Sequence, residues 1–196
     1  MDVPTASPRA IYDALCQVPD DKVAEILDGE LIVTPRPALR HASASSGLGG
    51  LLWGPFQAGR GGPGGWWILD EPEIHLADDV VVPDLAGWRR ERLPAIPDRA
   101  FLALAPDWVC EVLSPATVRM DRSRKMRIYG RERVGYVWLL DPIVRTLEVL
   151  RLEGVQWLLV GTHDGTEPVN AEPFEATSID LAMLWPDPVA PEAGGT

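Results

Sequence analysis

Trp108-Val109-Cys110-Glu111-Val112-Leu113-Ser114-Pro115 is the stretch on which the reading of the fold turns. One carboxylate stands among five apolar side chains, and a short run this rich in Val and Trp is a buried strand. Ser114-Pro115 closes the strand and opens the next helix. A carboxylate within such a strand is costly unless its charge is met. Glu111 therefore pairs either with one of the many arginines or with a metal shared with a second carboxylate.

Upstream, Val80-Val81-Val82-Pro83-Asp84-Leu85 reads as an apolar strand interrupted by Pro83, which marks an edge, an end or a bend. Pro-Asp occurs five times, at 19–20, 83–84, 97–98, 106–107 and 186–187, so the dipeptide alone says nothing. Only Asp84 ends a continuous apolar strand, which puts its carboxylate at the rim of a rigid sheet. Downstream, Thr117–Arg133 reads as an Arg-rich helix and Tyr136–Leu140 as an apolar strand stopped by Asp141-Pro142. Asp121, Lys125 and Tyr129 are spaced i, i+4, i+8 and share one stripe of that helix. Sixteen of the eighteen basic residues are Arg. A Lys kept here supplies a compact point charge in place of a planar fork; an ordinary Asp–Lys surface pair is the other reading.

The rest of the chain supplies the frame. Ser7-Pro8 caps a helix over Pro8–Gln17, and Val23–Leu27 and Glu30–Thr34 form a hairpin about Asp28-Gly29. Leu48, Leu51, Leu52 and Phe56 recur at helical spacing within a helix from Arg40 to Phe56. Ala58–Gly65 is Gly-rich but lacks the Lys-Ser/Thr ending of a phosphate cradle, so it is a loop. Trp66–Leu69 and Ile74–Leu76 are strand pieces, and Thr146–Leu152 with Trp157–Thr162 make a hairpin about Glu153-Gly154. The expected fold is α/β, a central mixed β-sheet flanked by helices, with an N-terminal helix and β-hairpin. One domain is expected over residues 1–185, with a disordered tail over 186–196.

At 196 residues, with a formal charge of -11, the chain does not read as a protein that coats nucleic acid. The charge is uneven: residues 119–133 hold seven basic and two acidic residues, and the remainder holds 11 basic and 27 acidic. That segment is either a solvated helix face or a phosphate-facing one. No apolar run approaches the ~18 residues of a membrane span, and the N-terminus lacks the pattern of a secretion signal, so a soluble, cytoplasmic protein is expected. Cys16 and Cys110 sit in apolar segments without ligand spacing and are expected to be buried free thiols.

Taken together, Val81-Val82-Pro83-Asp84-Leu85, then Pro106 through Pro115, Asp121-x3-Lys125-x3-Tyr129, and Val137-Trp138-Leu139-Leu140-Asp141-Pro142 resemble the Uma-type putative restriction endonuclease family. This is a bacterial branch of the PD-(D/E)XK nucleases. Ala24 through Leu31 and His41 resemble that family's N-terminal block, so the likeness spans roughly residues 23–160. It implies a restriction-endonuclease-like core and a divalent-metal-dependent nuclease acting on DNA. The metal, Mg²⁺ or Mn²⁺, would be held by Asp84 and Glu111, with the Val112 carbonyl as a third ligand and Glu25 reaching it through water. The usual Lys, two residues after the Glu, is replaced by Leu113, and the resemblance assigns its role to Lys125. Asp121 and Tyr129 would orient Lys125, and His41 is either supporting or a capping or core histidine.

Arg122, Arg124 and Arg127 are the expected guides for the DNA backbone, and a homodimer suits cleavage of two strands. Two rival readings stay open: a nuclease fold kept as a DNA-binding or regulatory protein, and a hydrolase of a smaller phosphate ester.

Overall fold

The computed structural model describes residues 7–185, so the expected tail lies outside the described residues. Helix α1 (Pro8–Leu15) is capped by the Ser7 hydroxyl, which accepts from the Ala10 amide. Strands β1 (Lys22–Leu27) and β2 (Glu30–Pro35) pair antiparallel about Asp28 and Gly29. Both turn residues have positive φ, 53° and 76°, the geometry that Asp-Gly favours. Helix α2 (Leu39–Leu52) runs into a π-helical turn over Trp53–Gln57.

Six more strands follow, then the helical segment that sequence periodicity had read as continuous. They are β3 (Trp66–Asp70), β4 (Glu73–Leu76), β5 (Asp79–Val81), β6 (Leu85–Arg89), β7 (Phe101–Leu102) and β8 (Trp108–Val112). The segment comprises α3 (Val118–Met120), a π-helical turn over Asp121–Lys125, and α4 (Met126–Arg131). Strands β9 (Tyr136–Asp141), β10 (Thr146–Glu153) and β11 (Gln156–Asp164), the short pair β12 (Pro168–Val169) and β13 (Ile179–Asp180), and a 3₁₀ turn over Leu181–Leu184 complete it.

The single central sheet of the sequence reading becomes two main sheets. One has the order β2-β1-β5-β4-β7 and the other β11-β10-β9-β8-β6-β3. Each is mixed: β4–β7 and β8–β9 are parallel pairs, and the other pairs are antiparallel. The division falls at Val82-Pro83-Asp84. The apolar run expected as one strand is cut there, with β5 in the first sheet and β6 in the second. Proline has no N–H to give a ladder, so the chain changes sheets at Pro83.

The inner strands β6, β8 and β9 of the six-stranded sheet are buried on both faces, which is why β8 and β9 read as nearly continuous apolar runs. Trp108, Cys110 and Val112 face α2 and the C-terminal segment in one core. Val109 and Leu113 face the first sheet and α4 in another. Phe174, which no helix or strand periodicity marked, centres an aromatic cluster, 4.7–5.6 Å from Phe56, Trp66, Trp108 and Trp138. Cys110 is buried as expected, but Cys16 is exposed because it caps the C-terminus of α1; both are free. No described helix is long and apolar enough to cross a membrane.

Two tryptophans of this cluster differ in one bond. The Trp138 indole N–H donates to the Glu172 carbonyl at 2.7 Å, whereas the buried Trp108 indole N–H has no partner among the described residues. Both lose similar packing on change to Phe, but only Trp138→Phe strands a carbonyl. Urea denaturation should find Trp138→Phe less stable than Trp108→Phe by about 1–3 kcal/mol; equal values would show that the Trp138 bond contributes nothing.

Candidate active site

The crossover at Pro83 sets the site. Leu85 pairs with Cys110 in the antiparallel β6–β8 register, so Asp84 and Glu111 stand at the same level on neighbouring chains. Asp84 Oδ2 accepts from the Val112 amide at 2.7 Å, and Asp84 Oδ1 lies 3.2 Å from His41 Nε2. His41 sits in the first turn of α2, is buried and meets Asp84, and it does not cap the helix, whose N-cap is Ala38.

Glu25 arrives from β1, where its Oε1 accepts from the Val82 amide at 2.8 Å and so fixes the crossover. Lys125 enters from the π-helical turn and is 4% exposed. Its Nζ lies 3.0 Å from Glu111 Oε2, 3.0 Å from Glu25 Oε1 and 3.9 Å from Asp121 Oδ1. Tyr129, expected to orient Lys125, instead donates its hydroxyl to Glu111 Oε1. The cause is reach: Tyr129 stands a turn beyond Lys125 and its phenol extends to the carboxylate on β8. The ordinary surface-pair reading of Asp121 and Lys125 does not hold, since both are buried.

Glu25, His41, Asp84, Glu111, Asp121 and Lys125 line one cavity of about 350 Å³ with Thr34–Ala38 and Ser114–Thr117, and Tyr129 stands behind Glu111 outside the lining. Its lining carries five carboxylates (Glu25, Glu71, Asp84, Glu111, Asp121) against two cations, Arg36 and Lys125. Arg36 is already paired with Glu71 at 2.8 Å. Glu25, Glu111 and Asp121 thus share one buried ammonium, and Asp84 stands beside them on His41 and the Val112 amide. Burial pushes the Glu111 carboxyl well above its usual range; Lys125 pulls it back, and Asp121, Asp84 and Glu25 raise it further. Burial raises Asp121 to about 6. Burial alone lowers the Lys125 ammonium, but Glu111 and Glu25 more than offset that and hold it protonated. For His41 burial also acts downward, and the bond to Asp84 turns the balance upward.

Sequence reasoning missed Arg36, Glu71, Ser114 and Thr117 on the cavity wall; only Ser114 carried a signal, as a helix-opening residue. The three arginines expected to guide DNA lie outside this cavity. Arg122 is paired with Glu148 at 2.8 Å, Arg124 with Glu30 at 2.6 Å and Arg127 with Asp28 at 3.1 Å.

A family model described as "Uma2: Putative restriction endonuclease" matches residues 10–183. The chain belongs to the Uma2 family. Among solved structures, this Uma2 chain is similar to one described as a putative nuclease belonging to DUF820 from Anabaena variabilis ATCC 29413. The two are 21% identical with a TM-score of 0.69, and the match covers 89% of this chain and 96% of the other. That likeness supports the fold. No curated protein matches.

Among the described residues of the Uma2 chain, no three His, Cys, Asp or Glu side chains form a ready ligand set. Both Glu111 oxygens are engaged, one by Lys125 and one by Tyr129. The donor chemistry nevertheless fits a hard divalent cation, because the site offers carboxylate oxygens and a buried excess of negative charge.

The raised Asp121 carboxyl gives a pH test of its burial. A carboxyl whose folded value exceeds its unfolded one loses stability as pH rises from the unfolded to the folded value. Between the ordinary 3.8 and about 6, the metal-free protein should lose roughly 3 kcal/mol relative to Asp121→Asn, at about 1.4 kcal/mol per pH unit. Chemical denaturation of both proteins at pH 4 and pH 7 checks this. A difference that does not change with pH would mean that burial does not raise the Asp121 carboxyl.

Proposed function

We propose that this chain is a divalent-metal-dependent nuclease that hydrolyses DNA phosphodiester bonds. Asp84 and Glu111 hold the metal and Lys125 is the catalytic cation. The observation that carries the reading is the pairing of those two carboxylates across β6 and β8, in one cavity with a buried, protonated Lys125. Mg²⁺ or Mn²⁺ bound there supplies a water made nucleophilic at neutral pH and positive charge for the transferring phosphoryl group.

The protein's own groups prepare that chemistry. His41 and the Val112 amide fix the two Asp84 oxygens, so that carboxylate is held in one orientation. Tyr129 and Lys125 hold Glu111. Because its carboxylate neighbours keep Lys125 protonated, it serves as a positive charge beside the phosphate and not as the base. Glu25 and Asp121 position its ammonium. Arg122, Arg124 and Arg127 would guide the DNA backbone by exchanging surface carboxylate partners for phosphates, an exchange that costs little where such pairs are worth about 0–1 kcal/mol. A homodimer acting in the cytoplasm completes the proposal.

A second reading has one observation in its favour. Both Glu111 oxygens are occupied by protein groups, as in a nuclease fold kept for binding DNA. The two readings separate in one assay. Plasmid cleavage in Mg²⁺ or Mn²⁺ should fall at least 100-fold in Asp84→Asn and in Lys125→Met, with Asp84→Asn still folded by circular dichroism. Undiminished cleavage in Asp84→Asn defeats the metal assignment. Salt-dependent DNA binding with no cleavage in any divalent metal favours the binding protein.

A further inference from the structure

The helical segment that carries Asp121 and Lys125 into the catalytic cavity has a second, outward side. There Arg122, Ser123, Met126, Arg127, Gly130, Arg131 and Arg133 face Val155 and Trp157 of the β10–β11 hairpin across a groove of about 650 Å³. Four arginines line it and no carboxylate does. The contrast with the catalytic cavity is large, for that lining holds five carboxylates and two cations. In a chain of net charge -11, an acid-free basic groove is the exception.

The groove is built, not a chance gap between long side chains. The Trp157 indole N–H donates to the Met126 carbonyl at 2.9 Å, which fixes the ring as the floor. Gly130 lets it close, because a Cβ there would come within 3.3 Å of the indole nitrogen. The guanidinium groups are held by partners outside the lining. Arg122 pairs with Glu148, Arg127 with Asp28 and Arg131 with Asp79, while Arg133 donates to the Gly154 carbonyl. Arg127 is held through Nη2 and Arg133 through Nη1, so each keeps further N–H donors. Val155, 81% exposed at the hairpin tip, adds apolar surface beside them.

We propose that this groove binds a single nucleic-acid strand, with guanidinium groups on its phosphates and the Val155 and Trp157 surface under its bases. The proposal rests on the nuclease reading and adds to it a site on the other face of the same helical segment. A single strand is favoured over a duplex because the apolar floor made by Val155 and Trp157 needs base faces, which a duplex hides and a single strand exposes. The sites lie about one helix diameter apart, on the order of 10 Å, so one bound nucleic acid can reach both.

The test is binding of a fluorescein-labelled 15-residue oligothymidylate to the full chain in EDTA, followed by anisotropy over a range of salt. Without metal no hydrolysis occurs. Loss of cleavage in Asp84→Asn and loss of binding in the groove variants therefore report separately. Arg127→Gln with Arg133→Gln should weaken binding at least tenfold and reduce the slope of log affinity against log salt by about 1.4, for two lost phosphate contacts. Val155→Asp disturbs no ion pair of the groove and should weaken binding severalfold with an unchanged melting temperature. Affinity within twofold of wild type and an unchanged salt slope in both variants would overturn the proposal. So would displacement of the oligonucleotide by polyglutamate at equal charge concentration, which would make the groove a site for acidic peptide.

Discussion

The interaction on which the site depends is the burial of one ammonium, Lys125, among Glu25, Glu111 and Asp121. Strand β1 meets β8 and the helical segment that follows it, which lie far from it in sequence, at that nitrogen. A buried ion pair adds little net stability, because desolvation consumes most of the attraction, but removal of one partner leaves an uncompensated charge and is strongly destabilising. The cluster therefore acts as a register pin: each element must be in place for the others to be tolerable. It also leaves negative charge unmet, since Asp84 lies beside it with only His41 and a backbone amide as partners. A scaffold built for stability alone would not keep three carboxylates around one lysine with a fourth beside them. One that must take up a divalent cation has reason to.

Pro83 is the second constraint, and it acts on topology. By interrupting the apolar run it hands the chain from one sheet to the other, and Asp84 emerges at the crossing instead of inside a ladder. Glu25 secures the crossing by accepting from the Val82 amide. The same residue that anchors Lys125 thus also satisfies a backbone donor that Pro83 leaves outside a regular ladder. Fold and site are joined at this point.

Much of this was legible before the structure, and the reasons are local. Asp28-Gly29 specified a hairpin because few other pairs adopt its dihedral angles, and the carboxylate in Trp108–Leu113 stood out because its neighbours are apolar. Asp84, Glu111 and Lys125 could be nominated from such patterns with the family resemblance. Four things were not legible. The division into two sheets depends on which strands pair, and strand order is not written in local periodicity. The orientation of Tyr129 toward Glu111 depends on the distance between a helix and a strand. The pairing of Arg122, Arg124 and Arg127 with Glu148, Glu30 and Asp28 joins residues up to 99 positions apart. The π-helical turn at Asp121–Lys125 was also hidden. Such turns recur at functional sites, and this one carries Asp121 and Lys125 while keeping both on the buried face.

The central claim is that Asp84 and Glu111 take a divalent metal beside Lys125. The most direct measurement is anomalous scattering from a crystal soaked in Mn²⁺. The account predicts a peak between the two carboxylates, with Glu111 turned from the Tyr129 hydroxyl and the Lys125 ammonium within about 4–6 Å of the ion, the range over which charges couple strongly. A crystal with no peak there, and with Glu111 still bonded to Lys125 and Tyr129, would contradict it.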